Sequence, residues 1–359
     1  MDLAAFRSEF PVVERLIYLN AGTNGPVPRR AIDAVESELR VELEQGRSGK
    51  QHFERLMEAR SGLRERIAGL MRCDAEEVAL TGSTTDGVNA ALIALNVGPG
   101  DEVVTSDEEH PGILAPLAAA ARRRGCRIRV VSWDDLAGAV DDRTALVATS
   151  HVSWVSGRVV DSAALREAGA PFLLDGAQGL GAIPVDVRAL GCDFYAASGQ
   201  KWLCGPDASG YLYVRKERAV ALDSPWPGYL TLATTEDALA FDQHPNAARF
   251  DTGMSPSGAV PWATTAFDVL AQAGFAEIHE RGIALAARLA ELLAERGREV
   301  APRGQSTLVS WRSDDAEADV ERLAADRIVV RHLPGRGLVR AAVGAWITED
   351  EVARVAAAA

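Results

Sequence analysis

The chain has 359 residues with 47% hydrophobic and 25% charged content, an ordinary globular composition too long for one small core, which fits a two-domain α/β protein. Its formal net charge of −13 argues against nucleic acid or an anionic membrane surface as a partner and directs attention to small molecules. Cys73, Cys126, Cys192 and Cys204 lack C-x-x-C spacing, so neither a metal site nor a disulfide framework is expected. With acidic Asp2 and Glu9 near the N-terminus and no apolar run of ~18 residues, the reading is of a cytoplasmic protein.

From about residue 30 to 215, strand-like apolar runs alternate with amphipathic helical stretches, the pattern of a mostly parallel sheet covered by helices. The predicted strands are Glu77–Thr81, Glu102–Ser106, Arg127–Ser132, Ala145–Ser150, Phe172–Asp175 and Asp193–Ala197. A further one, Ser209–Arg215, follows the Gly205-Pro206 turn and is expected to run antiparallel. Ser224–Pro261, rich in Pro, Gly, Asp and Ser, reads as an ordered crossing loop. One long helical stretch is expected over Thr264–Arg298, then tail strands at Thr307–Arg312, Ile328–His332 and Leu338–Ala342. We divide the chain into a large domain over 15–255 and a smaller C-terminal α+β domain over 256–359, with 1–14 packing on the latter.

In a parallel sheet the ligand crevice lies beyond the carboxyl ends of the strands, and the chemistry-bearing residues fall there. Only three of the 38 Lys+Arg residues are lysines, and Lys201 sits in Ser198-Gly199-Gln200-Lys201-Trp202. An arginine cannot become a neutral nucleophile, whereas a desolvated lysine can, and it can form a Schiff base with an aldehyde. A half-buried lysine snorkelling to solvent is the alternative. Asp175 ends a buried strand one strand-helix-strand step earlier, so both residues can face one crevice; capping of a following helix is its bland role. Ser83, Thr84 and Thr85 follow a strand and lead into a helix expected to begin near Val88, either as an anion site or as ordinary caps. His110 is delivered to the same edge, while Arg331 and Arg340 lie in tail strands, where a guanidinium fork suits a carboxylate.

Leu174-Asp175-Gly176-Ala177-Gln178, followed by Asp193-Phe194-Tyr195 and Ser198-Gly199-Gln200-Lys201-Trp202-Leu203-Cys204-Gly205-Pro206, resembles the class V aminotransferases within the fold-type I pyridoxal phosphate enzymes. The likeness runs from Tyr18 to the C-terminus. It implies pyridoxal 5′-phosphate as cofactor, with Lys201 as the Schiff-base lysine, Asp175 on the pyridine nitrogen, Gln178 on the phenolic oxygen and His110 on the ring. Ser83, Thr84, Thr85, Ser198 and Gln200 would hold the phosphate. Ser255, in Arg249-Phe250-Asp251-Thr252-Gly253-Met254-Ser255, would belong to a loop reaching the partner's phosphate across a homodimer. Arg340, with Arg331, Asn20 and Trp154, would bind an amino-acid substrate.

Within that family the persulfide-forming desulfurases carry a catalytic cysteine before the carboxylate-binding arginine, but here Arg331 to Arg340 contains none. Gln200 replaces the usual histidine, and Trp154 stands in place of a smaller polar residue. The Asn20–Pro26 turn and Glu109-His110-Pro111-Gly112-Ile113 look closest to the cystine C–S lyase and isopenicillin N epimerase-like subgroup. The implied reaction is C–S β-elimination on cysteine, cystine or a related S-conjugate through an α-carbanion. Epimerisation and transamination are the alternatives, and a desulfurase or a non-catalytic protein of the same fold ranks below them.

Overall fold

A computed structural model describes the chain from Met1 to Ala359. In order, it contains α1 (Leu3–Ser8), β1 (Ile17–Tyr18), α2 (Arg29–Gln45), α3 (Gly49–Met71), β2 (Val78–Thr81), α4 (Thr84–Leu95), β3 (Glu102–Ser106), α5 (Pro111–Arg124), β4 (Arg127–Val131) and β5 (Thr144–Ser150). Then follow α6 (Ser162–Ala168), β6 (Phe172–Asp175), α7 (Val187–Leu190), β7 (Phe194–Ser198), β8 (Gly210–Val214), α8 (Lys216–Ala221), α9 (Ala259–Ala273) and α10 (Phe275–Glu295). The chain ends with β9 (Leu308–Arg312), α11 (Ala316–Ala325), β10 (Ile328–Val329), β11 (Arg331–Leu333), β12 (Leu338–Ala342) and α12 (Glu349–Ala358).

Seven strands form one sheet in the order β2-β8-β7-β6-β5-β3-β4. Only β8 runs against its neighbours, pairing antiparallel with both β7 and β2 as expected for that segment. Strands β3, β6 and β7 are buried at every residue, as helices on both faces of a sheet require. One apolar cluster, including Leu174, Tyr195 and Phe267, continues from this sheet to Val339 and Trp346 of the C-terminal part. A second, including Val88, Val103 and Leu173, fills the opposite face.

The C-terminal part carries the antiparallel sheet β11-β12-β9, while β10 pairs parallel with β1. Residues before β1 pack here, with Arg7 bound to Glu351 at 2.9 Å and Phe10 lying 5.6 Å from Trp346. The expected strand Ile328–His332 is therefore two short ones with different partners. The long helix expected over Thr264–Arg298 is also two, because Gly274 adopts φ +91 and turns the chain between α9 and α10. Helix α4 starts at Thr84, four residues before the expected Val88, because the Ser83 hydroxyl caps it by accepting from the Asp86 amide at 3.0 Å.

The Ser224–Pro261 segment is largely irregular and is tied down at Asp251. Its carboxylate, 4% exposed, accepts from Arg60 and Arg64 of α3, each at 2.8 Å, and from the Leu80 amide at 2.8 Å. A third, four-residue apolar cluster joins Trp154 and Val155 to Leu333 and Leu338 of the β11–β12 hairpin.

Candidate active site

The carboxyl ends of β2, β3, β5, β6 and β7 meet the β11–β12 hairpin around a cavity of about 290 Å³. Lys201, Asp175, His110, Gln178, Ser83, Thr84, Thr85, Ser198, Gln200, Arg331, Arg340 and Trp154 all line it. Two expected residues do not. Asn20 turns its Oδ1 to accept from the Thr23 hydroxyl at 2.8 Å, so its neighbours Gly22, Thr23 and Asn24 form the wall instead. Ser255 belongs to a separate cavity beside Glu38, Arg55 and Arg60, outside the Lys201 cavity of its own chain.

Asp175 is the only carboxylate lining the cavity, against Lys201, Arg331 and Arg340. Burial pushes the Lys201 amine down to about 8; Asp175 pulls it upward, while Arg340 and Arg331 add to the depression. Burial likewise raises the Asp175 carboxyl above its ordinary range, opposed by Lys201 and by the Ala177 amide that donates to it at 2.8 Å. Asp175 is thus held by a local turn, and no helix follows for it to cap.

His110 caps α5, its Nδ1 accepting from the Gly112 amide at 2.9 Å. That acceptor role leaves the proton on Nε2, and burial, helped by Lys201 and the two arginines, pushes the imidazole down to about 4. The ring stands edge-on to Trp154, with centroids 4.9 Å apart at 88°. Gln178 is fixed from both ends. The Trp202 indole, which can only donate, bonds its Oε1 at 3.0 Å, and its Nε2 donates to the Gly22 carbonyl at 2.8 Å, leaving one amide hydrogen free.

Two glycines let the wall approach this closely. A Cβ on Gly25 would stand 2.2 Å from the Lys201 carbonyl oxygen, and one on Gly22 would meet Arg340 Nη2 at 2.9 Å. The Gly25 amide donates to the Gln200 carbonyl at 2.8 Å, so the Asn20–Pro26 turn is strapped to the lysine loop.

Arg340 is 1% exposed and meets no acid of its own chain; its Nη1 donates to the Trp154 carbonyl at 2.9 Å, while Nε and Nη2 have no acceptor. Burial, with Arg331 beside it, pushes it down to about 9. A buried guanidinium with Nε and Nη2 both free has the donor geometry that a bidentate carboxylate would satisfy. Arg331 donates to the Thr23 hydroxyl at 3.2 Å. At the opposite side, the buried hydroxyls of Thr84 and Ser198 and the Gln200 side-chain carbonyl also lack partners. The two hydroxyls, beside the N-terminus of α4, fit the phosphate of the cofactor that the sequence resemblance implies, whereas Gln200 could reach it only through its side-chain NH2 group.

Gly22, Thr23, Asn24, Gly112, Ser150, Val152 and Ala177 complete the lining without having been singled out. Ser150 carried a signal, since it is the last residue of a strand that ends at this edge. Cys204 is buried behind the lysine, its carbonyl accepting from the Trp262 indole at 3.0 Å, and burial drives its thiol well above the usual range.

The class V aminotransferase family matches residues 17–355. The cysteine desulfurase of Klebsiella pneumoniae (strain 342) is 33% identical over 301 residues, covering 76% of this chain and 73% of that protein. A probable cysteine desulfurase of Methanothermobacter thermautotrophicus is 28% identical, covering 79% of this chain and 74% of its own length. Among solved structures, the cystine C–S lyase C-DES in complex with cysteine persulfide superposes with a TM-score of 0.89 at 24% identity, over 97% of this chain and 98% of that one. The cysteine desulfurase CsdA of Escherichia coli gives 0.86 at 25% identity, over 100% and 97%. With the match spanning β1 to α12 and the lysine, aspartate and anion cradle meeting in one cavity, the chain belongs to the class V aminotransferase family and is a pyridoxal 5′-phosphate-dependent enzyme.

Proposed function

We propose that the protein catalyses C–S β-elimination on cysteine, cystine or a related S-conjugate. The observation that carries this reading is a cavity with one basic amine, two arginines free of carboxylate partners and no cysteine. No thiol is available to take sulfur from the substrate, so sulfur departs in a small molecule. The names of the relatives, cysteine desulfurase and cystine C–S lyase, favour cysteine-type substrates.

Pyridoxal phosphate, when bound, supplies an aldehyde that condenses with amines and a protonated ring that withdraws electrons from the α-carbon. Lys201 would hold it, Asp175 would keep its ring nitrogen protonated, and Gln178 and His110 would fix the ring. Thr84, Thr85, Ser83, Ser198 and Gln200 would take the phosphate. Arg340 binds the substrate α-carboxylate through Nε and Nη2 and so orients the α-hydrogen toward Lys201. The Lys201 amine, neutral above about pH 8, accepts that proton at Nζ. The C–S bond breaks as sulfur leaves with the electron pair, and hydrolysis of the remaining three-carbon fragment gives pyruvate and ammonia. With cystine, Arg331 offers a second cation to the distal carboxylate, and the sulfur product is cysteine persulfide.

Incubating purified enzyme with cystine, cysteine and other amino acids separates the possible outcomes. Elimination releases a 2-oxo acid together with a thiol or persulfide. Epimerisation inverts the α-carbon and releases neither, and finding that result alone would replace this reading. Two copies are further proposed to pair across α2, α3 and the Gly253–Gly258 turn, where Leu39, Leu43, Phe53 and Met254 are exposed, with exposed Tyr229 packed edge-on against Phe53. That arrangement would bring Ser255 to the partner's site, and sedimentation velocity tests it. No helix is long and apolar enough to cross a membrane, and with four unpaired cysteines a cytoplasmic setting is proposed.

A further inference from the structure

We infer that Glu108 and Glu109, adjacent in sequence in the turn that follows β3, are positioning residues with divided tasks, Glu109 setting the cofactor side of the cavity and Glu108 the substrate side. Glu109 is 1% exposed and has no cationic partner. Its Oε1 accepts from the hydroxyls of Ser106 at 2.5 Å and Thr149 at 2.7 Å, its Oε2 from the Ser150 hydroxyl at 2.6 Å, and both oxygens from the Ser150 amide at 3.0 Å. Every neighbour donates, so this buried carboxylate is fully satisfied without a counter-charge. It stitches together the carboxyl ends of the adjacent strands β3 and β5. His110 is the next residue along the chain, and Ser150, which lines the cavity, is in register with Asp175 on β6.

Glu108 reaches the following turn instead. Its Oε2 accepts from the hydroxyls of both Ser153 and Ser156, and its Oε1 lies 3.4 Å from Arg158. Ser153 Oγ in turn accepts from the amides of Val155 at 3.2 Å and Ser156 at 3.1 Å. The turn carrying Trp154 is therefore wound around the Glu108 carboxylate. Trp154 presents its carbonyl to Arg340 and its ring to His110, and packs against Leu333 and Leu338 of the arginine hairpin. The route runs from Glu108 through Ser153 and Ser156 to Trp154, and from Trp154 to the guanidinium. It rests on the reading that Arg340 takes the substrate carboxylate.

The test uses the holoenzyme and two pairs of variants: Glu108→Gln with the double variant Ser153→Ala/Ser156→Ala, and Glu109→Gln with Ser150→Ala. Three quantities are read: the visible circular dichroism of the bound cofactor without substrate, the dissociation constant for glycine by spectral titration, and KM and kcat with cystine. For the Glu108 pair, the cofactor signal stays unchanged, the glycine constant and KM rise about 10-fold, and kcat stays within about twofold. For the Glu109 pair, the cofactor signal changes and the glycine constant moves less than about threefold. Should a glutamine variant fail to fold, the serine variants carry the same expectation. A cofactor signal altered by the Glu108 pair, an unchanged glycine constant in that pair, or the same profile in both pairs overturns the division. Glycine binding requires no turnover, so failure to eliminate sulfur would sink the proposed reaction alone. Glycine affinity indifferent to Arg340→Ala would instead remove the reading on which this inference rests.

Discussion

Arg331 and Arg340 face each other across the β11–β12 hairpin as a register pair, and neither meets a carboxylate of its own chain. Two cations on one short hairpin repel, and the anionic substrate groups proposed above would relieve that unfavourable arrangement. Arg340→Ala should lower kcat/KM by about 100-fold or more, and lysine should restore little because it lacks the bidentate fork. Arg331→Ala should cost more with cystine, which has a second carboxylate, than with an S-alkyl cysteine. Steady-state kinetics with both substrates decide this, and equal losses would remove the distal role of Arg331.

The depressed Lys201 amine gives a pH dependence with a definite sign. Free base accumulates above about pH 8 rather than above the ordinary value of 10.5. Covalent capture of pyridoxal phosphate by apoenzyme should therefore rise with pH to a midpoint near 8, followed at the visible absorption of the adduct. Between these values the unfolded chain binds the extra proton, so apoenzyme stability should increase with pH across that window. After borohydride reduction, wild-type protein should carry the cofactor on the peptide containing Lys201, and Lys201→Ala should carry none.

Asp175→Asn removes both the proposed ring-nitrogen partner and the anion that pulls the Lys201 amine upward. Turnover should fall by about 10²- to 10⁴-fold. The pH midpoint for cofactor capture should move below its wild-type position. An unchanged or higher midpoint would contradict the electrostatic coupling of the two side chains.

Asp251 offers a test of structure at the base of the loop that carries Ser255. Asp251→Asn leaves Arg60 and Arg64 around a neutral amide in a buried setting, and such a loss typically costs about 3–5 kcal/mol. Equilibrium denaturation should register a shift of that order. Cys204→Ala should leave 2-oxo acid release within about twofold of wild type, because that thiol is buried behind the cavity.

Local chemistry makes much of this legible in the sequence. Asp175, Ser198 and Lys201 lie at or just beyond strand ends, and in a parallel sheet strand ends share one edge, so their convergence followed from topology. The strands over Glu102–Ser106 and Phe172–Asp175, short β-branched or apolar cores that end in polar residues, match residue for residue. Asn20, expected beside the substrate, does not line the cavity, because a turn residue and a lining residue look alike in sequence and its oxygen accepts from Thr23. The divided strand over residues 328–333 depends on pairing with β1, more than 300 residues earlier, and no local pattern encodes that contact. The free Nε and Nη2 of Arg340 were equally invisible, because in an arginine-rich chain only coordinates separate an unpaired guanidinium from an ion-paired one.

The antiparallel course of β8 has a consequence for how often the enzyme can repeat its cycle. Ser198 and Gly210 are register partners, so the segment bearing Lys201 leaves the sheet and rejoins it at the same edge. The Gly199 amide donates to the Ser209 carbonyl at 2.8 Å, and the Gly205 amide to the Gly199 carbonyl at 2.9 Å, closing the loop on itself. In the proposed role of Lys201, an amine released at each turnover would thus stay within reach, and its recapture of the cofactor after product departure would be a first-order event within a tethered loop. The Gly199 and Gly205 amides, which close the loop, should therefore exchange with solvent more slowly than the loop's other amides.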